Sequence, residues 1–529
     1  MARGAGFVAG RVAASFAFVC AALLPSASPA LSQVRSAIAL PTAGGTPWST
    51  AEIARLGGDL DAMLATAPAL HGAHVGVYAI DTASNAVLYA RAPDDEFQPA
   101  STLKLLVGSA ALDRLGGSFR FRTTLGIESD SRYAPSLVLH GGGDPTLATA
   151  DLANAVGSLP VTALSRQTQV FVDDSAFDAK PYPDGWTWDD FAQDYAPRIS
   201  AVTLDENVVS LRVSPGARAG DAADVQFADG RQPSGLIEGC NAALGTTVRV
   251  VSRATTGARG TADTIDVSRN PSGCPQVVGS IPLGAAAQSV AAAVYDPLVA
   301  AAETLRAKLD ERKGVVASAS AFVSPVPLES IDSVDERLRP FRPLGTERIV
   351  WTHDSQSLAE LLGPRFWIPS DNLFGELLLK ELGLIAGGKP GTTGKGVAYE
   401  KLWLRSIGVD PATVTLADGC GMSQYDRITP RDLVAILQHD WNGPNRRLVL
   451  DSLPVGGARG TIEGLAGTPA AGRVFAKTGS MMHVRGLAGY LATVRHGAVT
   501  FAFNVDDWNG AYPALAALRA AVLVRIAGD

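Results

Sequence analysis

The sequence predicts an α+β protein: one antiparallel sheet flanked by helices, divided by a long β-rich insertion. Three observations carry this. Strand patterns lie near both ends of the chain, at Ala73–Asp81 and Ala86–Ala90 and again at Val474–Lys477, Gly486–Val494 and Val499–Val505. Between about 118 and 315 the texture turns to short alternating runs punctuated by Gly, Asp and Pro. From about 345 long helical patterns resume. Strands from the two ends, paired in one sheet under helices, bury both apolar sets together.

The elements follow in order. Arg3 and Arg11 precede the apolar run Val12–Leu24, and small residues follow at Ser26–Ser32. Residues 1–32 therefore read as an export signal, cut after Ala30 or Ser32, with an uncleaved anchor as the alternative. Cys20 follows the bulky Val19 and belongs to the apolar run rather than to a lipoprotein site. No later stretch is long and apolar enough to cross a bilayer, so at most peripheral membrane association is expected. Ser49-Thr50-Ala51-Glu52 forms a capping box, and Ile53, Leu56, Leu60, Met63 and Leu64 recur at helical spacing. Thr82–Asn85 turns between the first two strands. Pro99 then fixes φ ahead of a largely apolar helix that ends near Gly116-Gly117.

Within the insertion, strands are expected at Phe119–Ile127, Ser136–His140, Gln169–Val172, Asn207–Val213 and Thr246–Val251. A helix over Ala291–Arg312 and a strand at Val315–Ser320 lead back. Helices follow at Ser357–Leu362, Leu373–Leu384 and Gly396–Ser406, and another starts at Thr429 and runs to Gln438. Arg495-His496-Gly497 turns between the last strands, and a helix over Pro513–Ile526 closes the chain. The division is thus a signal at 1–32, a first catalytic part at 33–117, an insertion at 118–315 and a second catalytic part at 316–529.

Composition narrows the function. The chain has 529 residues, 47% hydrophobic and 18% charged, enough for large cores and about three domains. A net charge of −7 with no Lys/Arg cluster argues against nucleic acid as a partner. The seven histidines are scattered, and no His-Glu-x-x-His or Cys-x-x-Cys pattern occurs. Neither a metal nor any other cofactor is expected. His71 and His74, at the edge of a strand, read as structural or solvated. Export would place Cys240, Cys274 and Cys420 in an oxidising compartment. Cys240 and Cys274 share a loop-rich region, which favours their pairing and leaves Cys420 free; the other pairings stay open.

Chemistry concentrates in three short stretches. Ser101 and Lys104 stand one helical turn apart on one face. A lysine sunk among apolar side chains loses affinity for its proton and can deprotonate a serine. Alone, the pair reads first as a helix cap and a solvated lysine. Two companions change that: Ser370-Asp371-Asn372 before an apolar helix, and Lys477-Thr478-Gly479-Ser480 leaving a strand. Ser-x-x-Lys, Ser-Asp-Asn and Lys-Thr-Gly in this order are the signature set of penicillin-binding proteins and class A β-lactamases.

From about residue 50 to the C-terminus the chain resembles the class C, penicillin-binding protein 4 type D-alanyl-D-alanine carboxypeptidases/endopeptidases of bacterial cell walls. The likeness includes Gly142–Leu147, Val172–Asp178, Gly185–Asp190, the Cys240/Cys274 pair and Asp418–Ser423. Where the family resembles Asp-Gly-Ser-Gly, this chain has Asp418-Gly419-Cys420-Gly421, which leaves the role of position 420 open. The resemblance implies a β-lactamase/transpeptidase-like catalytic domain with two nested, β-rich insert domains. It also implies peptidoglycan peptides as substrates, β-lactams as covalent inhibitors, and a periplasmic or other extracytoplasmic location.

On this reading Ser101 attacks the penultimate D-alanine carbonyl and Lys104 is the base. Ser370 relays a proton to the leaving amine, Asn372 binds Lys104 and a substrate amide, and Asp371 braces the loop. Lys477 draws the terminal carboxylate, Thr478 and Ser480 hydrogen-bond it, and Gly479 leaves room for substrate along the strand edge. The backbone N–H groups of Ser101 and Ser480 form the oxyanion hole. Two rivals remain: a β-lactamase, for which no Glu-x-x-x-Asn-type loop is found, and a non-catalytic wall-binding or β-lactam-sensing module, against which the full catalytic set argues.

Overall fold

The computed structural model describes residues 38, 40–42, 44–129, 136–160, 168–228, 250–270, 273–312, 322–323 and 346–528. The two ends of the chain do meet in one sheet. Its strands are β1 (His74–Asp81), β2 (Val87–Arg91), β3 (Val474–Met481), β4 (Val484–Ala492) and β5 (Ala498–Asp506), in the order β3-β4-β5-β1-β2. Every pair is antiparallel, with Val77 opposite Phe503 and Thr478 opposite Leu487.

Strand alternation sorts side chains by size. Val499, Phe501, Phe503 and Val505 of β5 join the core under helices α1 (Thr50–Ala65) and α6 (Tyr512–Ala527). Ala498 and Ala502 face the opposite side, where small side chains let helices come close. That side carries α2 (Lys104–Leu115), α3 (Asn372–Gly387), α4 (Thr393–Ser406) and α5 (Pro430–Asn442). α2 is the central element, buried on every face from Lys104 to Leu112. A Cβ at Gly108 would lie 2.5 Å from the Trp367 ring, so glycine lets that indole pack against α2.

The insertion builds separate cores. A mixed five-stranded sheet runs in the order Phe322–Val323, Gln169–Asp173, Ser136–His140, Arg122–Ser129, Thr346–Asp354. Helices Thr149–Ser158 and Pro297–Glu311 cover it through Leu152, Val156, Leu305 and Leu309. A second, smaller β module packs Leu211, Val213, Val225, Val267, Val277 and Ile281 together. The protein is thus α+β, with two β-rich modules nested in a transpeptidase-like fold.

Three expectations are corrected. Ala291–Ala293 are strand, paired with Val208–Ser210, and the helix begins only at Pro297. Asp296 caps it by accepting from Leu298 N and Val299 N, and Pro297 suits a first helical position that has no N–H partner to lose. Thr346–Asp354, read as part of the second catalytic half, pairs with Arg122–Ser129 in the inserted sheet. It is a largely exposed edge strand, so its sequence carries no alternation to read. Ala100–Leu103 form a 3-10 turn ahead of α2, with Ala100 at φ +44°. Residues 1–32, Cys240, the Val315–Ser320 strand and most of Thr246–Val251 lie outside the described residues.

Candidate active site

The three motifs converge beside the start of α2. Pro99 leads into the 3-10 turn that holds Ser101, and Lys104 opens α2. Lys104 Nζ is completely buried and donates to Ser101 Oγ (2.8 Å), Asn372 Oδ1 (2.6 Å) and the Cys420 carbonyl (2.8 Å). Opposite, Lys477 Nζ, equally buried, donates to Ser370 Oγ (2.8 Å) and the Thr478 carbonyl (2.9 Å).

Asp371 forms the N-cap of α3, accepting from Phe374 N. Ser370, just before it, adopts φ +66°, a left-handed conformation that costs a non-glycine residue roughly 1–3 kcal/mol. Ala100, beside Ser101, is held in the same region of backbone space. One strained residue is a motif serine, Ser370, and the other, Ala100, directly precedes one, Ser101.

Burial sets the charges. It pulls the Lys104 amine below its ordinary value, with Asp418, Asp371 and Glu376 pulling the other way. Lys477 is held well below its ordinary value by burial and then by Lys104. Two buried ammonium groups in one site would repel, so the pair favours at least one neutral amine, the form a general base needs.

Gly479 packs closely on the nucleophile turn: a Cβ there would lie 2.6 Å from the Pro99 carbonyl and 3.2 Å from Ser101 N. The Asn372 amide is already engaged, Nδ2 donating to the Tyr195 carbonyl (2.8 Å) and lying 2.9 Å from Met422 Sδ. Thr478 Oγ1 pairs with Thr461 Oγ1 (2.7 Å), and Ser480 is exposed on β3 opposite Arg485. The sequence reading did not use Cys420 O, Tyr195 O, Thr461 or Trp367, whose Nε1 donates to the Lys104 carbonyl (2.9 Å). Two of these act through main-chain carbonyls, which no side-chain pattern encodes.

Among the described residues, Glu376, Asp418 and Cys420 bring acidic and thiol ligand atoms within 4.8 Å of one another. Both Asp418 oxygens already accept N–H groups, from Cys420 and Gly421 on one side and Ser423 and Trp186 on the other. The donor set suits a hydrogen-bonded loop rather than an ion.

Fold and site together define a serine hydrolase of the transpeptidase-like class. A D-alanyl-D-alanine carboxypeptidase of Actinomadura sp. (strain R39) is 31% identical over 497 residues, 90% of this chain and 86% of its own length. The D-alanyl-D-alanine carboxypeptidase DacB of Haemophilus influenzae is 22% identical over 447 residues, 83% of this chain and 86% of its own. Penicillin binding protein 4 (dacB) of Haemophilus influenzae, as a solved structure, shares the fold with a TM-score of 0.73 at 20% identity, covering 89% of this chain and 99% of that one. The D-Ala-D-Ala carboxypeptidase 3 (S13) family matches residues 56–524, and the chain belongs to that family. Its activity is that of a serine-type D-Ala-D-Ala carboxypeptidase.

Proposed function

We propose that Ser101 is the nucleophile of this carboxypeptidase and Lys104 its general base. The observation that carries the reading is the 2.8 Å contact from a fully buried Lys104 Nζ to Ser101 Oγ. Ser101 Oγ attacks the penultimate D-alanine carbonyl of a peptidoglycan stem peptide as its proton passes to Lys104. The C–N bond then breaks as the Ser370 hydroxyl passes its proton to the departing D-alanine amine and is reprotonated by the Lys477 ammonium. Water attacks the acyl carbon, its proton passing back through Ser370 to Lys477, and Lys104 returns its proton to the freed Ser101 Oγ. The same step on a D-alanyl cross-link is DD-endopeptidase activity. A β-lactam acylates Ser101 too, but its amine stays tethered in the opened ring, so the adduct persists.

The remaining roles extend this. Asn372 fixes Lys104, and Lys477, Thr478 and Ser480 receive the terminal carboxylate. The Ser101 and Ser480 N–H groups form the oxyanion hole, each donor contributing ~3 kcal/mol. The close approach of Gly479 to Ser101 N supports that pairing. An export signal over 1–32 delivers the enzyme to the extracytoplasmic envelope, with at most peripheral membrane contact. The inserted modules begin near 118 and return after Asp354, a boundary supported by the pairing of Thr346–Asp354 with Arg122–Ser129. Cys240 and Cys274 form a disulfide, which the burial of Cys274 and the free state of Cys420 support.

Fluorescent penicillin and a D-Ala-D-Ala peptide test the reading. The wild type is expected to be labelled at Ser101 and to release D-alanine, and Ser101→Ala to do neither while keeping its melting temperature. Labelling of the alanine variant would remove Ser101 from the role.

A further inference from the structure

Lys104 makes three hydrogen bonds, and one goes to a main-chain carbonyl on a loop more than three hundred residues away. That loop, Asp418–Gly421, lies between the two elements that carry the other motif residues. On one side it meets α3 backbone to backbone: a Cβ on Gly419 would lie 2.5 Å from the Gly375 carbonyl, and one on Gly375 2.7 Å from the Gly419 carbonyl. On the other side, Gly421 at φ +84° would place a Cβ 1.9 Å from the Ala100 carbonyl, next to Ser101. Only glycine permits these approaches.

Two buried carboxyl groups shape this loop. Asp418 gathers the loop N–H groups from within, as described above, and takes Trp186 Nε1 at 2.9 Å from the β-rich insertion. Glu376 holds it from outside: its Oε1 accepts from Gly419 N at 2.8 Å, and the Cys420 thiol lies against the same carboxyl. Glu376 stands four residues after Asn372 on α3, so both project from one helical face. That face therefore gives Lys104 one acceptor directly, through Asn372 Oδ1, and braces the loop that gives it another, through Cys420 O.

We propose that Glu376, together with Asp418, is a positioning residue for Lys104, acting through the Cys420 carbonyl. This rests on Lys104 being the base for Ser101. It also accounts for the cysteine at position 420: the site uses that residue's carbonyl, while its thiol points to Asp418 Oδ2 at 3.5 Å. Burial pushes the Glu376 carboxyl up to about 8, with Asp418 adding to the rise, so near neutral pH it is largely protonated. An uncharged group of the same shape can then take its place.

The test is the second-order rate of acylation by fluorescent penicillin, per folded protein, for the wild type, Glu376→Met, Glu376→Ala and Glu376→Gln. Methionine fills the buried volume without an acceptor, so it reports even if alanine fails to fold. Glu376→Met and any folded Glu376→Ala are expected to acylate tenfold or more slowly. Glu376→Gln keeps an oxygen for Gly419 N and is expected to restore the rate to within about threefold. Melting temperature separates stability from positioning. If Glu376→Met reacts as fast as the wild type, or Glu376→Gln is as slow as Glu376→Met, the proposal is overturned. If the wild type itself is not acylated at Ser101, the assignment of Lys104 as base fails instead.

Discussion

Lys477 Nζ lies 2.8 Å from Ser370 Oγ, completing a second lysine–serine pair that faces the one between Lys104 and Ser101. Each buried amine is hydrogen-bonded to a hydroxyl of its own.

From this pair, Lys477→Ala is expected to slow penicillin acylation by roughly ten- to a hundredfold, since a charge-assisted hydrogen bond contributes ~1.5–3 kcal/mol. Lys477→Arg should recover part of the loss, because a planar guanidinium replaces a point charge poorly in a closed site. The measurement is the acylation rate of all three proteins at matched melting temperature. Equal rates would take Lys477 out of the site.

Gly479→Ala should act through the Ser101 turn rather than through substrate size. The added methyl meets the Pro99 carbonyl at 2.6 Å, so either β3 or the turn must move. Displacing a nucleophile by a fraction of an ångström is expected to slow acylation roughly ten- to a hundredfold, with small and large β-lactams affected alike. A loss confined to bulky substrates would show that Gly479 serves the ligand instead.

Peptide mapping without reductant should recover Cys240 linked to Cys274, with Cys420 as a free, buried thiol. The 34-residue separation corresponds to roughly 3–4 kcal/mol in the loop-entropy model, so a reductant should lower the melting temperature. Recovery of Cys420 in a cross-linked peptide would refute the pairing.

Asp440 lends itself to a pH test. Burial pushes its carboxyl up to about 8, with Ser109 opposing and Asp113 adding. Between the ordinary carboxylate range and about 8 the unfolded chain has lost this proton while the folded protein keeps it. The unfolded state then binds fewer protons, and stability falls as pH rises through that window. Asp440→Asn can still accept the 2.6 Å hydrogen bond from Ser109 and does not titrate. Its melting temperature is expected to gain on the wild type between pH 5 and pH 8. A constant difference would mean that Asp440 is ionised throughout.

Much of the catalytic half was legible because its signals are local. Capping at Ser49 and Thr429, apolar periodicity in α1 and α5, and short strands at both ends all reflect contacts within a few residues. The inserted sheet was harder to read. Ala291–Ala293 look helical because alanine is a good helix former, yet pairing with Val208–Ser210 outweighs that preference. Thr346–Asp354 gains its strand form only from Arg122–Ser129 beside it.

The sequence alone determined the order of the three motifs and the one-turn spacing of Ser101 and Lys104, because helix geometry makes neighbours of residues three apart whatever surrounds them. The tertiary structure decided what Lys104 touches. Asn372 lies 268 residues away along the chain and Cys420 lies 316 away. Gly479 packs against Pro99, far away along the chain. Such contacts depend on how close two backbones come once both sheet faces are covered. That distance is set by the packing of side chains distributed over the whole domain, and no short stretch of sequence contains it.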